Sequence, residues 1–179
     1  MILLFLGVLM KKKWHLAVFI IAILLTIISW VVAVWYWGKL PQTIPTHFGL
    51  SGQADSYSQK SIWYTFLIPA LQSIMLAFFV FLYKKPQYSD MPTTLLLMAM
   101  EEEKREHAFD LIRTMLLMVA LFIGILFTYI TYGMNASALN NDLGLSPWIM
   151  GGVLIAMLVW LVWWTVKVYK TTKNILSKK

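Results

Sequence analysis

His47 and Asp55 are the two side chains of this sequence best suited to specific chemistry outside an apolar stretch. An imidazole can ligate a metal or titrate near neutral pH, and a carboxylate eight residues away can be a second ligand or a hydrogen-bond partner. Zinc usually takes three or four protein ligands, so this pair indicates a metal only weakly. Three interpretations stay open: a metal site, contact with an external ligand, or hydrogen bonds that tie the segment to itself through Thr46, Tyr57 or Ser58.

Motifs for common enzyme chemistry are absent from the sequence. There is no HExxH, no GxSxG and no phosphate-binding glycine loop, and without cysteine there can be no disulfide, thiolate metal site or cysteine nucleophile. We therefore expect a protein that is not an enzyme and has no cofactor. A metal-dependent enzyme built on His47 and Asp55 is kept as an alternative.

The segment around this pair, residues 38–60, is predicted to hold a fixed shape. Two prolines restrict its first half to extended backbone, and glycines in its second half permit turns that other residues resist. Asp55 with Ser56 suits an Asx-type turn, and Ser58 or Ser61 could cap a following helix. The candidate ligand-binding or structural residues of the segment are Pro41, Pro45, Thr46, His47, Gly52, Asp55, Tyr57 and Lys60.

Four long apolar stretches must position this segment. A hydrocarbon core roughly 30 Å thick is crossed by about 20 apolar helical residues, and each stretch meets that length. With 60% hydrophobic and 13% charged residues, the composition is that of a membrane protein rather than a soluble domain. We predict an all-α, integral membrane four-helix bundle with antiparallel neighbours, in contact with the lipid bilayer. The spans are Trp14–Trp37, Ser61–Tyr83, Thr114–Gly133 and Pro147–Val166.

Positive charge lies on one side of this plan. Of the 15 lysines and arginines, only Lys39 and Lys60 fall on the other side. The positive-inside rule then places both termini in the cytoplasm and residues 38–60 outside. The net charge of +7 faces anionic lipid in this arrangement, so no nucleic-acid partner is expected.

The same plan divides the chain into five parts. They are a cytoplasmic N-terminus (1–13), a two-helix unit carrying the outer loop (14–83), a cytoplasmic amphipathic, charged helix (84–113), a second helical hairpin (114–170) and a basic cytoplasmic tail (171–179). Residues 93–113 are expected either to lie on the inner leaflet or to dock a cytoplasmic protein.

Polar groups within the spans are sparse. Gln72 with Ser73 favours helix–helix contact over a substrate site, and His15, beside Lys13 and Trp14, is expected to be solvated. Because no ionisable residue lies at mid-depth, transport by a single chain is disfavoured. A homo-oligomer could still form a transporter or channel, with Gly124, Gly151 and Gly152 facing neighbouring subunits.

The outer loop also resembles a known family. The order L-P-x-x-I-P-T-H-F-x-x-x-G-x-x-D-x-Y-x-x-K after a first span is similar to the domain of unknown function numbered 1648. That resemblance implies a bacterial plasma-membrane protein with the loop outside. The same domain forms the N-terminal part of SdpI-like immunity proteins, which protect against a secreted toxin, although nothing after Tyr83 resembles their C-terminal half. The matching positions are Leu40, Pro41, Ile44, Pro45, Thr46, His47, Phe48, Gly52, Asp55, Tyr57 and Lys60.

Together these observations lead to one hypothesis about function. We expect a non-enzymatic, multi-pass membrane protein that senses, or confers immunity to, an extracellular membrane-active peptide. The alternatives are an oligomeric transporter or channel subunit and, less favoured, the metal-dependent enzyme.

Overall fold

The computed structural model describes residues 12–89, 97–98, 101–140 and 143–176. For residues 175 and 176 it describes the backbone alone. Its helices and strands follow one another as α1 (Lys13–Trp37), β1 (Thr43–Phe48), β2 (Ala54–Gln59), α2 (Ile62–Lys84), a 3₁₀ turn (Pro86–Tyr88), α3 (Glu102–Leu139) and α4 (Pro147–Leu176). The four α-helices are each long and apolar enough to cross a membrane. The protein is therefore a multi-pass membrane protein, as predicted.

Parts of four predicted units lie outside the described residues. These are residues 1–11 of the N-terminal unit, residues 90–96 and 99–100 of the charged helix, residues 141–142 of the second helical hairpin, and residues 177–179 of the basic tail. The rest of the tail is not separate from the fourth span, because α4 continues to Leu176.

The helices α1, α2 and α3 form the core. Neighbours along the chain are antiparallel, since His15 at the start of α1 meets Tyr83 at the end of α2, while Trp30 farther along bonds to Ser73. The helix α3 runs parallel to α1. We call the end that carries β1 and β2 the hairpin end, and the end that carries Lys13, Lys84 and Lys167 the basic end.

The helix α4 sits at the side of this core rather than within a closed ring of four. It packs mainly on α3, and its buried residues Trp164, Val168 and Thr172 all lie toward the basic end. Of the 18 consecutive residues that form its most apolar part, only 6% are buried. An evenly apolar helix gains little by burying one face instead of another when lipid is the surrounding solvent, so hydrophobicity alone does not draw α4 into the core.

The charged helix and the third span are a single helix of 38 residues. We expected residues 93–113 to form a helix on the inner leaflet that runs into the third span, and from Glu102 onward the chain is one helix with that span. Ala108 and Ile112 are completely buried, in one apolar cluster with Leu82 of α2 and Val168 of α4. The second half of the range thus packs against the other helices.

The outer loop folds as an antiparallel hairpin, which adds a small β-sheet to the otherwise helical fold. Its first half is extended, as the prolines predicted. The Asx-type turn expected at Asp55 and Ser56 is wrong, because both residues lie in β2. The chain reverses within residues 49–53, where Gly52 has φ +79°, a conformation that favours glycine. Ser61 caps α2 by accepting from the Tyr64 amide.

Candidate functional site

The hairpin brings His47 and Asp55 together. Their Nδ1 and Oδ1 atoms are 2.5 Å apart, and both side chains are more than half exposed. Of the three interpretations left open by the sequence, the structure thus shows a contact within the segment, made between the two candidates themselves. Within the described residues no group of three or more histidine, cysteine, aspartate or glutamate side chains could hold a metal ion.

The neighbouring candidates Thr46 and Tyr57 do not join this pair. The Thr46 hydroxyl donates to the Ser56 carbonyl at 3.5 Å, at the point where the register of the two strands shifts. The Tyr57 side chain lies opposite Pro45 and is half exposed. The hairpin therefore exposes an imidazole–carboxylate pair formed between β1 and β2, and an aromatic ring farther along β2.

Lys60 belongs to the scaffold and not to a ligand site. Its ammonium donates to the carbonyl oxygens of Trp37, at 2.6 Å, and Leu40, at 3.3 Å, and lies 4.4 Å from the Trp37 ring centroid. Trp37 is the last residue of α1. A cation at this position satisfies a carbonyl that the helix leaves open and interacts favourably with the helix dipole. It fixes the root of the hairpin to α1.

Pro45 lies where an unpaired amide would be costly. Neighbouring side chains of a strand point to opposite faces of the sheet, yet Ile44 and Pro45 are both buried. The outer edge of β1, and not one face of the sheet, therefore packs against the helices. The Lys60 amide bonds to the Gln42 carbonyl, and alternation along the ladder then turns the backbone of residue 45 away from β2. An N–H there would be buried without a partner, and proline has none.

The tip of the hairpin is fixed to the connection between α3 and α4. The Leu145 amide donates to the Gly52 carbonyl at 2.8 Å. A Cβ at Gly52 would lie 1.8 Å from the Leu145 carbonyl oxygen, and a Cβ at Gly133 would lie 2.3 Å from the Leu145 side chain. Glycine at these two positions lets Leu145 insert between the hairpin and α3. The hairpin is thus held at its root, along β1 and at its tip.

A small cavity lies under β1. It is lined by Leu40, Ile44 and Pro45 on the hairpin side and by residues of α2 and α3 below, with a volume of about 10 Å³. Two of its lining residues, Thr65 and Asn135, are buried polar residues, and the Thr65 hydroxyl has no partner among the described residues. This space is near the minimum that holds one water molecule. It is too small for a substrate.

A larger groove opens to the side of the hairpin tip. It has a volume of about 670 Å³ and lies between Leu50 and Ser51 of the tip and the first two turns of α4, including Trp148, Gly151 and Gly152. Leu50 is fully exposed. Added Cβ atoms at Gly151 and Gly152 would meet no described atom within 4 Å. Pro41, the remaining candidate, is exposed at the root of the hairpin.

Sequence reasoning missed a buried polar cluster at the basic end. His15 was expected to be solvated, but it is completely buried, with its ring nitrogens 2.9 Å from the Tyr83 hydroxyl and 3.0 Å from the Thr114 hydroxyl. Nearby, the Arg113 Nε donates to the Tyr83 carbonyl, and Lys12 forms an ion pair with Asp110. This cluster joins α1, α2 and α3.

The signal for His15 was its spacing. The buried residues of α1 recur every three or four positions, and most of them are small or polar. This pattern is typical of a helix–helix contact in lipid. They are His15, Phe19, Ala22, Thr26, Ser29 and Ala33.

Comparison with known proteins supports the resemblance. Residues 24–72 match the family model of a domain of unknown function, DUF1648. The match takes in most of α1, the whole hairpin and the part of α2 that ends at Gln72, so the recognition of this domain from the sequence is confirmed. No curated protein and no solved structure matches the chain.

Proposed function

We propose that this DUF1648-containing membrane protein is a non-enzymatic receptor whose hairpin senses or blocks a membrane-active peptide outside the cell. The single observation that carries this proposal is the hairpin itself, which is fixed to the helices at three places and turns its second strand toward the medium. A surface held in one shape loses little entropy when it binds, which suits recognition. Immunity of the SdpI type is the form of this function that the resemblance favours.

The distribution of positive charge supports one orientation of the protein in the membrane. Lys39 and Lys60 lie at the hairpin end and both are directed at α1, with the Lys39 ammonium 3.7 Å from the Trp35 ring centroid and Lys60 on the Trp37 carbonyl. The remaining cations lie toward the other end of the spans or beyond it in the sequence. We propose a bacterial plasma-membrane protein with both termini in the cytoplasm and the hairpin outside.

Cysteine labelling tests this orientation directly, because the natural chain has no cysteine. In intact cells an impermeant maleimide should label Leu50→Cys at the exposed tip, while Lys170→Cys near the end of α4 should react only after lysis. The opposite pattern would place the hairpin in the cytoplasm and end the proposal for an extracellular peptide.

The peptide-sensing proposal is tested by genetic complementation. A deletion strain is challenged with a panel of secreted membrane-active peptides and complemented with wild type, His47→Ala, Asp55→Ala or the control Ser51→Ala. Ser51 is exposed at the tip, and its hydroxyl accepts from the Gln53 amide rather than from the pair. We expect wild type and the control to restore resistance and the other two variants to lose it. Equal sensitivity of all strains, including the deletion, would refute the proposal.

An output surface on the cytoplasmic side is part of the same proposal. At the basic end of α3 the first turns are accessible, with Glu102 and Glu103 exposed, whereas residues 108–120 are largely packed against other helices. A cytoplasmic partner of residues 93–113 would therefore contact the acidic start of the helix and not its apolar continuation. Charge reversal of Glu102 and Glu103 should abolish recovery of such a partner by crosslinking while leaving the protein folded.

An oligomeric transporter or channel subunit is the second candidate, and two observations favour it. The hairpin-end half of α4 is largely exposed with both its glycines open, and the Gln72 carbonyl oxygen inside the core has no partner among the described residues. Crosslinking of Gly152→Cys in native membranes discriminates. Specific dimers would favour this function, and a strict monomer would eliminate it.

A further inference from the structure

The strand β2 has one unused edge. In a two-stranded sheet each strand pairs on one side only, so the other side presents unpaired N–H and C=O groups. The ladder bond from the Lys60 amide to the Gln42 carbonyl sets the alternation. Residues 56 and 58 then face β1, and the backbone groups of Tyr57 and Gln59 face away. The register shifts beyond Tyr57, so this alternation does not extend to Asp55.

The two edges of the hairpin are treated differently. The free edge of β1 is buried against the helices and contains Pro45, which removes its central donor. The edge of β2 contains neither proline nor lysine, two residues that often protect exposed edges, and its charged residue Asp55 and its register shift lie only at the end near the tip. Its residues at the outward positions, 57 and 59, are both exposed. One edge is closed and the other is open.

The open edge points to the medium. The strand β1 packs on α3, whereas β2 packs chiefly on β1. The hairpin runs from the α1–α2 root to Leu145 across the end of the bundle, so its strands lie roughly along the membrane surface. The strand β1 lies next to the helices and β2 lies on the side of β1 away from them, so the plane of the sheet is roughly perpendicular to the membrane surface. Any partner must approach β2 from the aqueous side.

This orientation excludes a second copy in the same membrane as the partner at this edge. The two-fold axis that pairs two antiparallel edges is perpendicular to their common sheet. Since the sheet stands upright, that axis would lie in the membrane plane and would turn the second copy upside down. Chains inserted in one orientation cannot meet in this way. An extended soluble peptide has no such restriction.

We propose that the free edge of β2 binds an extended peptide by strand addition, using the outward backbone groups of Tyr57 and Gln59. Main-chain hydrogen bonds supply binding in this mode, and side chains that flank the edge supply selectivity. The Tyr57 ring and the His47–Asp55 pair lie beside the edge and would contact alternate side chains of the peptide. This inference rests on the proposed function and specifies the form in which the peptide is recognised.

The test uses a probe of defined structure instead of the natural peptide. The probe is a synthetic peptide of alternating threonine and valine whose one central cysteine is activated as a 2-thiopyridyl disulfide, so that the protein thiolate displaces 2-thiopyridone and no separate oxidant is needed. Its control is the same peptide N-methylated at every residue, which blocks both edges. Protein carrying Tyr57→Cys in lipid nanodiscs should form the mixed disulfide roughly tenfold faster with the probe than with the N-methylated control. Leu50→Cys, fully exposed and off the strand, should react with the probe and the control at the same rate. Equal rates at both positions would overturn the inference.

A second measurement keeps the wild-type tyrosine. In hydrogen exchange on the unmodified protein, the amides of residues 57 and 59 should exchange freely and those of 56 and 58 slowly, and millimolar cysteine-free probe should protect the first pair only. Absence of that protection would overturn strand addition. If, in addition, His47→Ala still abolished peptide resistance in cells, the proposed function would stand while this mode of recognition failed. Self-crosslinking of Tyr57→Cys in native membranes would also contradict the upright sheet.

Discussion

Replacing Gly52 by alanine should release the tip of the hairpin from the α3–α4 connection. Gly52 combines a positive φ of +79° with a neighbour that cannot move aside, because the atom 1.8 Å from an added Cβ is the backbone oxygen of Leu145. Alanine in the left-handed region costs roughly 1–2 kcal/mol, and loss of the Leu145–Gly52 hydrogen bond adds about 1 kcal/mol. The total is roughly 2–3 kcal/mol against the docked tip.

Hydrogen exchange of the Leu145 amide measures this change directly, since that amide donates to Gly52 at 2.8 Å. A shift of 2–3 kcal/mol in a local opening equilibrium should accelerate exchange roughly 30- to 150-fold. The matched control is Gly38→Ala at the hairpin root, where φ is −69° and no described atom lies within 4 Å of the added Cβ. If the two substitutions changed Leu145 exchange equally, the account of the docked tip would be wrong.

Three further substitutions, one of them with a matched control, test the scaffold through thermal unfolding in detergent. His15→Leu removes the buried imidazole that contacts the Tyr83 hydroxyl and should cost about 1–3 kcal/mol; unchanged stability would mean that the contact is unimportant. Lys60→Met should cost about 1–2 kcal/mol through the lost carbonyl contacts, whereas Lys39→Met, which loses only a ring contact, should stay within about 0.5 kcal/mol. Gln72→Leu should change stability by less than about 1 kcal/mol, because the threonine hydroxyls beside it also donate to backbone carbonyls, and a loss above about 3 kcal/mol would contradict this.

The sequence predicted the spans well because their physical signal is strong. Length and hydropathy are set by the thickness of the bilayer, so α1 and α2 begin and end within one residue of the predicted limits. The proline-restricted first half of the outer loop was likewise predictable as extended backbone. The strand pairing was not, because β2 (Ala54–Gln59) is polar and exposed and has no alternating apolar pattern to reveal it.

Packing inside the bundle was harder to predict. In lipid, apolar side chains are stable on either face of a helix, so hydrophobicity does not separate core from surface. The position of α4 at the side and the burial of His15 both depend on which helices touch. The contacts that bury His15 come from Tyr83 and Thr114, which are far from it in the sequence. The roles of Gly52 and Lys60 also needed the fold, since their partners Leu145 and Trp37 become neighbours only when the chain is assembled.

The length of α3 has a mechanical consequence. Thirty-eight residues of continuous helix measure about 57 Å, nearly twice the roughly 30 Å of hydrocarbon that a span must cross. No proline interrupts it. One uninterrupted helix thus connects Gly133, which packs against Leu145 beneath the hairpin tip, with the glutamates at the start of α3. A displacement of this helix along its axis at one end would therefore move its other end as well.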